Sequence, residues 1–187
     1  IDKTGKGWLA PVDKRVRNSL PIADLGESEA GQLVLAEPAG RSPRSGVKVT
    51  TVLGDPLAPK AFSLIAIHKH GIPFAFTPDT LDEGALAAKL PLSAEKREDL
   101  RHLPIVAIDP SDARDHDDAI WAEPDGRGGF RALIAIADVS FYVRPGSLID
   151  REARKRGNSV YFPDRVVPML PEALSADVCS LRAGEDR

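Results

Sequence analysis

The sequence predicts a mixed α/β chain: an OB-like β-barrel at the N-terminus, a helical connector, and then the first part of a second, mixed α/β domain. Three observations lead there. Residues 7–54 break into short β segments separated by turn residues, residues 60–90 carry helix punctuation, and from residue 104 the chain turns to isoleucine- and valine-rich runs. The 187 residues suffice for one ordinary domain or two small ones, and a hydrophobic content of 42% supports a core. With 16 prolines and 15 glycines, many short elements are expected.

The segments "GWLAPV", "PIADL", "GQLVLAEPA" and "GVKVTTVLGD" read as strands of the barrel, which is assigned to residues 1–60. Trp8 is the only aromatic residue before Phe62, so a base-stacking surface of the usual type is weakly supported in this part. After Pro59, "KAFSLIAIHKH" reads as a helix stopped by Gly71, with Pro73 just beyond. Thr77 as N-cap and Pro78 in the first helical position predict a second helix running to about Leu90. Residues 93–102 read as a third, short and highly charged helix, and 61–103 is taken as the connector. His68 and His70 lie about 200° apart on their helix, which argues against a shared metal.

Residues 104–187 form the start of the second domain. "PIVAID", "AIWAE" and "FRALIAIADVSFYV" read as strands of a substantially buried sheet. "PDGRGG" is a hairpin turn between the second and third. "LIDREARKR" reads as a helix over 148–156 closed by Gly157, and "SVYF" as a further strand.

The chemistry concentrates in "DPSDARDHDDA", where Asp109, Asp112, Asp115, Asp117 and Asp118 crowd together. Carboxylates this close repel one another unless cations compensate. All-oxygen ligands are hard and favour Mg²⁺, with Mn²⁺ as a substitute, over zinc or copper. No start point in the cluster gives the EF-hand ligand spacing, so calcium of that kind is not expected. A solvated acidic loop is the plainer alternative. Placement between two apolar segments favours the metal site, because packed elements hold the carboxylates in place. Paired metal ions are a recurrent solution for phosphodiester hydrolysis, so phosphoryl chemistry is the natural expectation. His102 and His116 need not be ligands; a histidine beside an acidic loop is more often a surface hydrogen-bonding group.

Other features exclude more than they assign. The net charge of −3 divides into +2 over residues 1–60 and −5 over the remainder, and names no partner by itself. Cys179 is the only cysteine, which rules out an internal disulfide or a cysteine-rich zinc site and suits a reducing compartment. The cytoplasm is therefore expected. No apolar run approaches the roughly 20 residues of a membrane span, and no signal-peptide pattern opens the sequence.

Taken together, "AIDPSDARDHDDA", "IAIADVSFYVRPGSLIDREARKRGNSVYFPD", "VVPMLPEALSADVCSL" and "EDR" resemble the opening half of the catalytic, RNB-type domain of the ribonuclease II family. The resemblance is strong over residues 104–187 and looser over 60–90. It implies a processive, Mg²⁺-dependent 3′–5′ exoribonuclease that hydrolyses single-stranded RNA to nucleoside 5′-monophosphates, with residues 1–60 as a cold-shock (OB) domain. It places the family's four site aspartates on Asp109, Asp115, Asp117 and Asp118, all as metal ligands, with Asp117 and Asp118 also catalytic and Asp118 the one indispensable to the chemical step. Tyr161 falls on the aromatic that packs against a base at the RNA 3′ end; the alternative is a core aromatic. Asp112 lies outside that set, as an exposed loop carboxylate or a partner of Arg114.

Among the residues beside the cluster, Arg156 is a candidate phosphate contact within the group Arg151, Arg154, Lys155 and Arg156, against the alternative of a solvated helix face. Asp138 is either a site residue or a structural carboxylate. Met169, Cys179, Trp121 and Phe141 are read as packing residues. The family's catalytic domain continues well past the counterpart of Arg187, so the chain is expected to be a fragment, inactive alone, of a monomeric parent that can associate with RNA-degradation machinery. A noncatalytic RNA-binding protein on the same scaffold is the alternative.

Overall fold

The computed structural model describes residues 6–92, 97–111 and 113–187. The chain divides into two compact units: residues 1–72 with 162–165, and residues 73–161 with 166–187.

The first unit is a four-stranded sheet with order β1-β2-β4-β3, formed by β1 (Trp8–Leu9), β2 (Leu20–Asp24), β3 (Leu33–Pro38) and β4 (Val47–Gly54). Each of the four expected segments supplies one strand, which agrees with the OB-like reading. β3 and β4 run antiparallel from Leu33↔Gly54 to Pro38↔Val47, with two register shifts along β3, whereas β2 and β4 pair in parallel. In β4, buried Val47 and Val49 alternate with exposed Lys48 and Thr50, the period-two pattern of a strand with one face on a core. Gly46 enters β4 at φ 72°, and a Cβ there would lie 2.5 Å from the Pro21 carbonyl oxygen. Only glycine fits this approach of β4 to β2. Helix α1 (Pro59–Lys69) follows, burying Ala61, Ser63 and Ile67, and ends at His70 before Gly71 at φ 63°. The Ser63 hydroxyl donates to Asp164 at 2.8 Å, and Arg165 donates to the Lys60 carbonyl at 3.2 Å.

In the second unit, helix α2 (Pro78–Ala87) begins as expected, with the Thr77 hydroxyl accepting the Thr80 N–H. It packs against α4 (Leu148–Arg156) and against a π-helical turn, Leu174–Val178. Gly84 permits the approach, since a Cβ there would lie 3.1 Å from Pro171. Ser147 caps α4, Glu83 accepts the Leu148 N–H at 3.0 Å, and Gly157 at φ 77° ends the helix. The core joins Tyr142, Ile149, Leu170, Leu174 and Cys179, with Phe141 and Met169 packed against it. Fully buried Ile149 and Leu174 each contribute about 1.5–3 kcal/mol.

Strands β5 (Asp118–Pro124) and β6 (Phe130–Ile136) form an antiparallel ribbon in register from Asp118↔Ile136 to Pro124↔Phe130. Its turn is built as expected: the Asp125 carboxylate accepts the Arg127 and Gly129 N–H groups at 2.8 and 2.9 Å. Trp121 is half-buried under the Arg131 guanidinium. Beyond β6, a helical turn α3 (Val139–Tyr142) precedes α4, and β7 (Val160–Phe162) pairs with β8 (Arg165–Val167).

Four expectations require correction. "PIVAID" is not a strand: it contributes one antiparallel bridge, Val106↔Ile120, because Pro104 and Pro110 at its ends lack the N–H groups that would extend a ladder. Neither is the sheet substantially buried, since Ile108, Ile120, Ile134 and Ile136 are exposed. The third run stops as a strand at Ile136, and "VSFY" turns helical. For the charged helix at 93–102, residues 93–96 lie outside the described residues and 97–102 are not helical. There Asp99 accepts the Arg101 backbone N–H at 3.1 Å and its guanidinium at 2.9 Å, a local turn that competes with helix formation.

Candidate functional site

The aspartate loop lies in the second unit and runs into the first residue of β5. Asp118 opens that strand opposite Ile136, and the Asp117 carbonyl accepts the Ala137 N–H at 2.9 Å, so the ribbon fixes the end of the loop. Asp109, preceding the loop, meets His116 Nδ1 at 2.9 Å. Asp115 accepts a 2.6 Å hydrogen bond from the Tyr161 hydroxyl on β7. The expectation that His116 serves as a hydrogen-bonding group thus acquires a specific partner.

Electrostatics mark Asp117 as the focus. Partial burial, followed by the charges of Asp115, Asp118 and Asp109, pushes its carboxyl above the ordinary range. The charges of the other three expected carboxylates thus all bear on Asp117. The donor set is entirely oxygen and suits a hard divalent ion. Among the described residues, however, no three histidine, cysteine, aspartate or glutamate side chains already stand in a ligating array. Asp109 and Asp115 are instead engaged by His116 and Tyr161. Asp112 lies outside the described residues.

Tyr161 is 63% exposed, so it is not a core aromatic. The bond to Asp115, with a smaller effect of burial, raises its phenol to about 12. It is therefore a neutral donor at physiological pH, with its ring open to solvent.

Arg156 differs from the expectation of a phosphate contact. Its side chain is 2% exposed, and its guanidinium donates to the Pro73 and Ala75 carbonyls at 2.6 and 2.8 Å while lying 3.7 Å from the Phe76 ring centroid. A group enclosed by backbone carbonyls and an aromatic face is committed to packing and cannot reach a phosphate. Its neighbours follow the solvated-face alternative: Arg154 pairs with Asp150 and Lys155 with Glu152 along α4. Asp138 accepts from Arg97 at 2.8 Å and from the Ser140 hydroxyl.

Sequence reasoning passed over Ser180. It is fully buried, accepts the His116 N–H at 3.0 Å and donates to the Arg114 carbonyl at 3.1 Å. Nothing in the local sequence distinguishes this serine; only its contacts across the fold do.

Comparison with known proteins adds three findings. Residues 8–77 match the cold shock domain model and residues 97–187 the RNB domain model. The chain is 45% identical over 191 residues to ribonuclease R of Vibrio parahaemolyticus and 42% identical over 194 residues to that of Escherichia coli, covering 98% and 99% of this chain but 23% and 24% of those proteins. It thus spans about a quarter of the length of these curated relatives. Among solved structures, Mycoplasma genitalium RNase R in complex with ribose-methylated single-stranded RNA superposes with a TM-score of 0.76 at 27% identity, covering 96% of this chain and 31% of that one.

Proposed function

Because the chain belongs to the ribonuclease II family, with a cold shock domain followed by RNB-domain sequence, we propose that the protein containing it is a Mg²⁺-dependent exoribonuclease. It shortens single-stranded RNA from the 3′ end and releases nucleoside 5′-monophosphates. The observation that carries this reading is the placement of Asp109, Asp115, Asp117 and Asp118 in one loop that runs into β5, within the RNB-matching sequence.

Mg²⁺ would be held by Asp109, Asp115, Asp117 and Asp118, with Mn²⁺ as a substitute of similar hardness. When bound, such ions activate water and stabilise the departing oxygen of a phosphodiester. The protein's own part is positional. His116 orients Asp109, Tyr161 orients Asp115, and the β5–β6 ribbon holds Asp117 and Asp118. The exposed ring of Tyr161 offers a face on which a base can stack while its hydroxyl remains tied to the carboxylate. The RNA-bound Mycoplasma relative supports RNA as the substrate. We place the protein in the cytoplasm, acting as a monomer that can join other RNA-degrading factors. The 187 residues alone are proposed to be inactive, since they span about a quarter of the related enzymes.

The test uses the full-length protein carrying this sequence, 5′-labelled single-stranded RNA, and Mg²⁺. Progressive 3′ shortening is expected, and Asp118→Asn should abolish it while leaving RNA affinity within about threefold. Tight binding without shortening in either Mg²⁺ or Mn²⁺ would transfer the assignment to a noncatalytic RNA-binding role.

A further inference from the structure

We propose that Ser180 is a positioning residue for the aspartate loop: its buried hydroxyl fixes the backbone between Arg114 and His116 and thereby sets the loop's affinity for a divalent cation. The inference rests on the metal-dependent reading above.

A serine hydroxyl offers one proton and two lone pairs. Here the proton goes to the Arg114 carbonyl at 3.1 Å and a lone pair receives the His116 N–H at 3.0 Å, so one side chain bridges backbone groups on either side of Asp115. The bridge is itself anchored. The Ser180 N–H donates to the Asp177 carbonyl at 2.9 Å, its carbonyl accepts Arg187 Nε at 3.0 Å, and the adjoining Leu181 N–H donates to the His116 carbonyl at 2.9 Å. One residue further on, Ala137 holds the Asp117 carbonyl. Residues 114–117 are therefore tied at four backbone groups by partners distant in sequence.

This matters because Asp115 and Asp117, two residues apart in the loop, are like charges that repel each other. A loose segment would relax by moving the two carboxylates apart, whereas a cation needs them together. Ser180 is fully buried, so water cannot readily replace its hydroxyl, and Ser180→Ala leaves a donor and an acceptor unpaired. The bonds from Leu181 and Ala137 remain, which is why the loss should fall on carboxylate placement rather than on the fold.

The experiment compares full-length wild type, Ser180→Ala and Ser180→Thr by Mn²⁺ titration read by electron paramagnetic resonance, with RNA binding in chelator and thermal melting in parallel. Ser180→Ala is expected to weaken Mn²⁺ binding about tenfold or more, to keep metal-free RNA affinity within about twofold, and to be restored by threonine. Wild-type Mn²⁺ affinity in the alanine variant would overturn the proposal, as would a parallel loss of metal and RNA affinity. If the alanine variant does not fold, Ser180→Cys, isosteric but a weaker hydrogen-bonding group, decides by the same comparison. A wild type that binds no Mn²⁺ and does not shorten RNA would refute the metal-dependent reading itself, a result distinct from an unaffected Ser180→Ala.

Discussion

Arg156 gives the sharpest prediction because the sequence reading and the structure disagree about it. Its guanidinium makes two good charge-assisted hydrogen bonds to the Pro73 and Ala75 carbonyls, worth about 1.5–3 kcal/mol each. The desolvated contact with the Phe76 face adds about 2 kcal/mol. Against these stand burial of the charge and an Nε with no hydrogen-bond partner, costing on the order of 1–3 kcal/mol. Arg156→Ala should therefore destabilise the second unit by about 3 kcal/mol. Arg156→Lys should lose nearly as much, because an ammonium can neither fork between two carbonyls nor stack on a ring. The assay is urea denaturation of the full-length protein followed by tryptophan fluorescence, alongside RNA binding across a salt series. A lower urea midpoint with unchanged RNA affinity and salt slope is expected. A phosphate contact would produce the opposite: wild-type stability, weaker RNA binding, and a salt slope reduced by about one. That result would refute the reasoning.

Three further outcomes follow from the geometry. Since Asp117 has its carboxyl raised in the folded state, its contribution to stability is fully present below the ordinary carboxylate range and is lost as pH rises through the raised value; Asp117→Asn should thus stabilise the metal-free protein at pH 7, with the advantage vanishing in acid and reversing when Mg²⁺ is added, as thermal melts would show. Cys179 is buried, and burial followed by the charge of Asp138 raises its thiol to about 11, so a thiol reagent at pH 8 should modify it only after unfolding, as mass spectrometry would reveal. Gly46→Ala forces a Cβ to within 2.5 Å of the Pro21 oxygen at φ 72° and should lower the melting transition of the cold shock domain by an amount corresponding to about 2 kcal/mol or more.

Where local chemistry determines structure, the sequence was readable. Thr77 with Pro78 announced α2, Gly157 closed α4, and "PDGRGG" announced its hairpin, each because a cap or turn is settled by residues within a few positions. The aspartates were legible for the same reason, being crowded into one loop. What stayed hidden depends on distant partners. "REARKR" does not say which cation turns inward; that is decided by Phe76 and two carbonyls some eighty residues earlier. "PIVAID" has strand composition but forms a single bridge, and Asp99 diverts its segment from a helix by bonding its own backbone. Ser180 carries no signal at all until His116 and Arg114 are beside it.

The tether between the loop and Ser180 also has a consequence in time. The two bonds of that hydroxyl join residues 64 and 66 positions apart. At synthesis rates of roughly 5–20 residues per second, several seconds pass after the aspartates leave the peptidyl transferase centre before the serine that pins them is made. A nascent chain therefore carries the carboxylates well before it can hold them in place.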